Sequence, residues 1–163
     1  MPSKHALLSP SASDKWTRCP GMPKLAAQVP YQVSIPAVTG TLVHQISEII
    51  MKDRLDGDIT LEDYWLGKVE NVEDFEIEID QEMIDCARTY TEYVQAKTKE
   101  LDGKLLIEEQ VSIDEITDGC WGTADAIILA KDKICVIDLK SGKWAVDPVK
   151  NKQLMIYGLG ALT

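Results

Sequence analysis

The chain has 163 residues, 45% of them hydrophobic, and a formal net charge of -10. That is the size of one ordinary domain with enough apolar content for a core. No run of about 18 apolar residues is present to span a membrane, and no apolar stretch follows Met1 to His5 as in a secretory signal, so a cytoplasmic protein is expected. The acidity at first argues against a nucleic-acid partner, because phosphate binding draws on basic surface.

Residues 1–40 hold Pro10, Pro20, Pro23, Pro30 and Pro36, which break any long helix and predict an irregular arm. Within it, residues 11–16 read as a short capped helix. From Thr41 the pattern changes, with Leu42, Ile46, Ile49 and Ile50 at helical spacing. This predicts a helix over 41–54, with Thr41 or Thr39 as its N-cap. Residues 53–80 are acidic and weakly periodic, punctuated by Gly57 and Gly67, and 55–80 read as a surface insertion. A second helix is expected over 80–102, its apolar positions Met83, Ile84, Ala87, Tyr90, Val94 and Leu101 falling mostly three or four apart, with Gly103 as its stop.

Three strand-like runs follow, 105–113, 119–130 and 133–139. Lys131-Asp132 separates the last two and predicts an antiparallel hairpin. Asp147-Pro148 then opens a last helix over 148–162. The charge is unevenly spread over these elements. Residues 42–100 carry 16 acids against six bases, whereas the first 41 carry four bases and one acid. Lys143, Lys150 and Lys152 face only Asp147 between Ser141 and Thr163. Both ends are therefore open to an anion, and these three lysines are candidate substrate-binding residues. The four cysteines, Cys19, Cys86, Cys120 and Cys135, form no C-x-x-C pair and read as reduced intracellular thiols.

The most informative segment runs from Gly122 to Tyr157. A strand alternates its side chains, so Asp138 and Lys140 share a face. If Lys131-Asp132 is a two-residue loop, Ala130 pairs with Lys133, and counting back sets Asp125 opposite Asp138. Carboxylates that close repel unless a cation lies between them, and hard oxygen ligands select Mg²⁺ or Mn²⁺. The bland alternative, a salt bridge on a solvated face, fits poorly with Ala126-Ile127-Ile128-Leu129 and Val136-Ile137-Asp138-Leu139, which read as strands buried on both sides. Gln153 and Tyr157 lie one helical turn apart.

Gly122-Thr123-Ala124-Asp125, Asp138-Leu139-Lys140 and Gln153 through Tyr157 resemble the G-x-x-D, D-x-K and Q-x-x-x-Y elements of the RecB-type domain in the PD-(D/E)xK nuclease superfamily. Trp16-Thr17-Arg18-Cys19-Pro20-Gly21 and Gly40-Thr41-Leu42-Val43-His44 are similar to a phage-associated family of such nucleases. The resemblance implies an α/β (α+β) restriction-endonuclease-like core, with a central mixed sheet flanked by helices; as a departure from the family's pattern, the C-terminal strand or strands are expected to be lacking. It further implies one domain over 1–163, with its catalytic core in 103–163. By the same resemblance Asp125, Asp138 and the Leu139 carbonyl are metal ligands, His44 completes the metal sphere, and Lys140 is the catalytic lysine. Glu109 matches the family's first-strand glutamate, with Glu108 the alternative if the register slips by one. The resemblance also implies that Gln153 and Tyr157 orient catalytic groups or hold DNA, the alternative for Tyr157 being a ring packed against the sheet with its hydroxyl bonded nearby.

The implied activity is Mg²⁺- or Mn²⁺-dependent, exonuclease-like cleavage of DNA in a bacterial or phage-infected cell. Only Cys19 matches the four-cysteine pattern of relatives with an iron-sulfur cluster, so no cluster is expected. The rival reading is a non-catalytic nuclease-fold subunit, acting as a homo-oligomer or with a phage recombination partner. A phosphatase-like hydrolase is disfavoured, since no phosphate-cradling glycine loop is present.

Overall fold

The structure, a computed structural model, describes residues 6–29, 32–52, 60–142 and 145–162. It is an α+β protein with two small antiparallel sheets flanked by helices. Two compact units divide the chain: Met1–Tyr31 with Leu101–Asp138 and Val146–Thr163, and Gln32–Glu100 with Leu139–Ala145. Among the described residues no helix is long and apolar enough to cross a membrane.

The second of these units begins with a helix, Ile35–Met51, that buries Val38, Leu42, Val43, Ile46 and Ser47 on one face. Its start corrects the expected N-cap at Thr39 or Thr41. Ser34 is the cap residue, in extended conformation, and Pro36 sits in the first turn, where its missing N–H has no helical partner to lose. The prolines that break a helix interior here help to open one. The expected end at residue 54 lies outside the described residues.

The region expected to be an acidic, weakly periodic surface insertion carries regular structure from residue 60 onward. A short helix, Leu61–Trp65, is capped by Thr60, whose Oγ1 accepts from the Asp63 N–H at 3.1 Å. Two strands, β1 (Val69–Val72) and β2 (Phe75–Glu78), then form a hairpin around Glu73 and Asp74. Glu73 takes a left-handed φ of 54°, as a two-residue turn requires. Trp65 and Ile79 are buried. The long helix Gln81–Leu101 follows close to expectation, with the Asp80 carboxylate accepting from the Met83 N–H at 2.9 Å and Met83, Ile84, Ala87, Tyr90, Thr91 and Val94 buried.

In the other unit, that helix exits through Asp102, which takes the left-handed φ of 46°. The role expected of Gly103 is therefore different. A Cβ there would lie 2.6 Å from Ile128 Cγ2 and 3.1 Å from the Leu129 carbonyl oxygen, so glycine permits close approach to a strand. Three strands follow: β3 (Lys104–Ser112), β4 (Trp121–Leu129) and β5 (Ile134–Ile137). Their order is β3-β4-β5 and both ladders are antiparallel. A mixed sheet was expected; short connections join these strands directly, and antiparallel pairing is what such connections allow. The β4–β5 register is the expected one, with Ala130 N–H bonded to the Lys133 carbonyl at 3.0 Å and Ala126 opposite Ile137.

A nine-residue helix, Lys152–Gly160, packs on this sheet through Tyr157, which joins Val111, Ala124 and Ile127 in the core. It starts four residues later than the expected Pro148. The Asp147 carboxylate closes a local turn by accepting from the Val149 N–H at 2.8 Å, Lys150 is left-handed at φ 57°, and Asn151 supplies the cap by accepting from the Leu154 N–H at 3.2 Å. The N-terminal arm forms a 3-10 turn, Pro10–Ala12, then two short helices, Ser13–Trp16 and Met22–Ala26. No side-chain cap supports the Pro10–Ala12 and Ser13–Trp16 turns.

Candidate metal and catalytic site

The site forms where the β4–β5 ladder ends. The last pair is Ala126 with Ile137, so the next two residues are Asp125 on β4 and Asp138 just beyond β5. Asp125 lies in five consecutive buried residues, Ala124 to Ile128, and is itself only 8% exposed. A carboxylate at that depth carries a large desolvation cost unless compensated.

Glu108 brings a second acid to it. Residue 108 of β3 has a φ of 53°, which is uncommon for a non-glycine residue. The ladder pairs Ile107 with Ala126 and Glu109 with Ala124 but skips the position between. Leu106 and Val111, five residues apart, both pack into the core around Tyr157, as do Ala124 and Ile127, three apart. A regular pleat would send each of those pairs to opposite faces, so the alternation reverses at this point. A Glu108 carboxylate oxygen thereby lies within 4.8 Å of one from Asp125. Glu109, the first choice from sequence, is exposed and lines a groove with Leu106, Val111 and Gly160. Nothing in hydrophobic periodicity distinguishes the two glutamates, because the difference is a backbone dihedral.

Asp138 is fixed by the following helix. Gln153 Nε2 donates to Asp138 Oδ1 at 2.8 Å and lies 3.4 Å from the Tyr157 hydroxyl, which it also reaches as a donor. Gln153 and Tyr157 thus share a helical face, as their spacing predicts. Burial is the main cause pushing the Tyr157 phenol up to about 12; the Gln153 bond opposes the shift, while the Asp138, Asp125 and Glu108 carboxylates add to it. All three acids therefore act on one phenol within this unit.

His44 is half-buried on the helix Ile35–Met51 of the other unit. Leu139 is buried and Lys140 exposed, and both belong to the Leu139–Ala145 segment of that unit. Lys143 lies outside the described residues. Lys150 is exposed, but Lys152 is already engaged: its ammonium donates to Thr17 Oγ1 at 2.6 Å and pairs with Asp14 at 3.2 Å.

The chemistry of the donor set fits a hard divalent cation. Mg²⁺ sits about 2.0–2.1 Å from each oxygen, so oxygens sharing one ion lie roughly 3–4 Å apart. Glu108 and Asp125, within 4.8 Å, need little adjustment to reach that spacing. Among the described residues no cysteine joins this donor set, which disfavours a soft metal. Cys120 is buried and Cys135 half-buried, as free thiols, and desolvation pushes the Cys120 thiol up.

A protein-family model described as "Protein of unknown function (DUF2800)" matches residues 5–163. No solved structure matches the chain.

Proposed function

The chain belongs to the DUF2800 family, and we propose that it is a Mg²⁺- or Mn²⁺-dependent deoxyribonuclease with exonuclease-like action in the cytoplasm of a bacterial or phage-infected cell. One observation carries this reading: Glu108 and the buried Asp125 bring carboxylate oxygens within 4.8 Å of each other where an apolar ladder ends. That is donor spacing suited to a hard divalent cation, and the site's motifs resemble those of the RecB-type nucleases.

Glu108 and Asp125 are the carboxylates that would hold the ion, with Asp138 beside them and the Leu139 carbonyl and His44 assigned by resemblance. When bound, the cation supplies Lewis acidity for phosphodiester hydrolysis. The chain's own residues provide the rest. Gln153 fixes the rotation of the Asp138 carboxylate through its 2.8 Å bond. Tyr157, with its phenol pushed up to about 12, stays protonated and neutral throughout the physiological range. Lys140 offers a positive charge to the phosphate oxygens as negative charge develops on the leaving group. The exposed Lys150 extends that contact along the DNA backbone; Lys152 is withdrawn from this role by its bonds to Thr17 and Asp14.

The test incubates purified protein with single-stranded, linear duplex and circular DNA, with Mn²⁺ or with EDTA. Cleavage of DNA with free ends that needs Mn²⁺ and disappears in Asp138→Ala is expected. Activity persisting in Asp138→Ala, or in EDTA, overturns the proposal. A folded protein inert toward all three substrates with Mn²⁺ favours a non-catalytic subunit that works with a partner.

A further inference from the structure

The arm motif Trp16-Thr17-Arg18-Cys19 has no part in the chemistry above, yet the arm reaches the site's supporting helix at two points. Lys152, the first residue of the helix Lys152–Gly160, donates to Thr17 Oγ1 at 2.6 Å and pairs with Asp14 Oδ1 at 3.2 Å. The second point is Pro10, which is buried. A Cβ built on Gly122 would lie 2.9 Å from Pro10 Cδ and 3.2 Å from Tyr157 Cε1. The proline ring, the glycine of β4 and the phenol of Tyr157 therefore pack on one another with no space between.

The arm is also braced internally. Trp16 Nε1 donates to the Ser9 carbonyl at 2.9 Å, Thr17 Oγ1 donates to the Ser13 carbonyl at 2.7 Å, and the Leu8 N–H bonds the Gly119 carbonyl at 3.0 Å. Its two contacts fall on Lys152 and Tyr157, to either side of Gln153. A helix of nine residues is below the roughly 12–15 at which an isolated helix holds itself in water, so its placement depends on such contacts.

We infer that residues 9–17 of the arm are a positioning element for the carboxylate site: by holding Lys152 and Tyr157 they keep the Gln153 amide on Asp138 Oδ1. The functional meaning of this rests on Asp138 belonging to a metal site, whereas the juxtaposition itself does not. The arm acts through Gln153, in the manner of an outer partner that orients a metal ligand.

The experiment compares unmodified protein with Lys152→Met, Lys152→Arg and the double variant Pro10→Ala/Lys152→Met. Two quantities are read: the Gln153 side-chain amide signals by NMR, assigned against Gln153→Ala, and the Mn²⁺ dissociation constant by electron paramagnetic resonance. In the double variant the amide signals are expected to move toward those of a solvated glutamine. Mn²⁺ binding should weaken about tenfold, the lower end for partners that orient metal ligands. Lys152→Arg keeps the pair with Asp14 and should leave both readings near those of the unmodified protein. Unchanged amide signals and affinity in a folded double variant overturn the inference. If that variant does not fold, Lys152→Met alone decides by the same readings, with a smaller shift in the same direction. If unmodified protein binds no Mn²⁺, the nuclease reading fails, and the Gln153 signals alone decide the role of the arm.

Discussion

Two hairpins of this protein are built from acidic and apolar residues, and they use them in opposite ways. In β1–β2 the pattern alternates: Phe75 and Ile77 are half-buried while Glu76 and Glu78 are exposed. Each carboxylate stays in water and costs the fold little. In β4–β5 the residues on either side of Asp125 are buried alanines, and Asp125 is buried with them. The first hairpin contributes to the net charge of -10; the second holds an acid of the proposed metal site. Acid content therefore does not locate a site. The phase of the acid relative to the pleat does.

The largest effect that could break this contrast is catalytic. Asp125→Asn should abolish Mn²⁺-dependent DNA cleavage, while circular dichroism shows the fold retained. If that variant cuts DNA as fast as the unmodified protein, burial of the acid has no functional meaning. Next in size is Gly122→Ala. The added methyl would meet Pro10 at 2.9 Å and Tyr157 at 3.2 Å, and overpacking of this kind costs about 1–3 kcal/mol, measurable by urea unfolding.

A smaller effect is set by pH. The Tyr157 phenol is raised to about 12 from an ordinary 10, so the folded chain keeps its proton after the unfolded chain has lost it. Stability from this group is complete below pH 10 and is lost as pH rises toward about 12. Unfolding midpoints followed across that window should fall less in Tyr157→Phe than in the unmodified protein; equal slopes would refute the assignment. The smallest effect belongs to the first hairpin. Glu76→Gln with Glu78→Gln should change stability by no more than about 0.5 kcal/mol and leave cleavage unchanged. A large loss of activity there would erase the contrast between the hairpins.

Much of this was legible in the sequence, and the failures have physical causes. The helix Gln81–Leu101 carries a strong 3.6-residue period, and a two-residue break sufficed to set Ala126 opposite Ile137. The hairpin β1–β2 was missed because each strand has four residues, too few for its alternation to stand out from an acidic background. Pro36 and Pro148 misled in opposite senses. Pro36 was read as a breaker and lies in a helix's first turn. Pro148 was read as a helix start and lies in a turn closed by Asp147. Among the candidate residues, the meeting of Asp138, Gln153 and Tyr157 could be anticipated from spacing and resemblance. The choice of Glu108 over Glu109 could not, because a positive φ at a glutamate leaves no mark in residue type. Nor could the capture of Lys152 by Asp14, which joins residues 138 positions apart.

The reversal at Glu108 has a consequence for how β3 tolerates change. A systematic scan of polar substitutions along Lys104–Ser112 should produce alternating sensitive and insensitive positions, as any half-buried strand does. Here the rhythm should lose step at residue 108: Leu106 and Val111 respond alike although they lie five positions apart, an odd spacing. A mutational profile that kept strict alternation through the whole strand would mean that the backbone there is an ordinary pleat, and that Glu108 turns its carboxylate elsewhere.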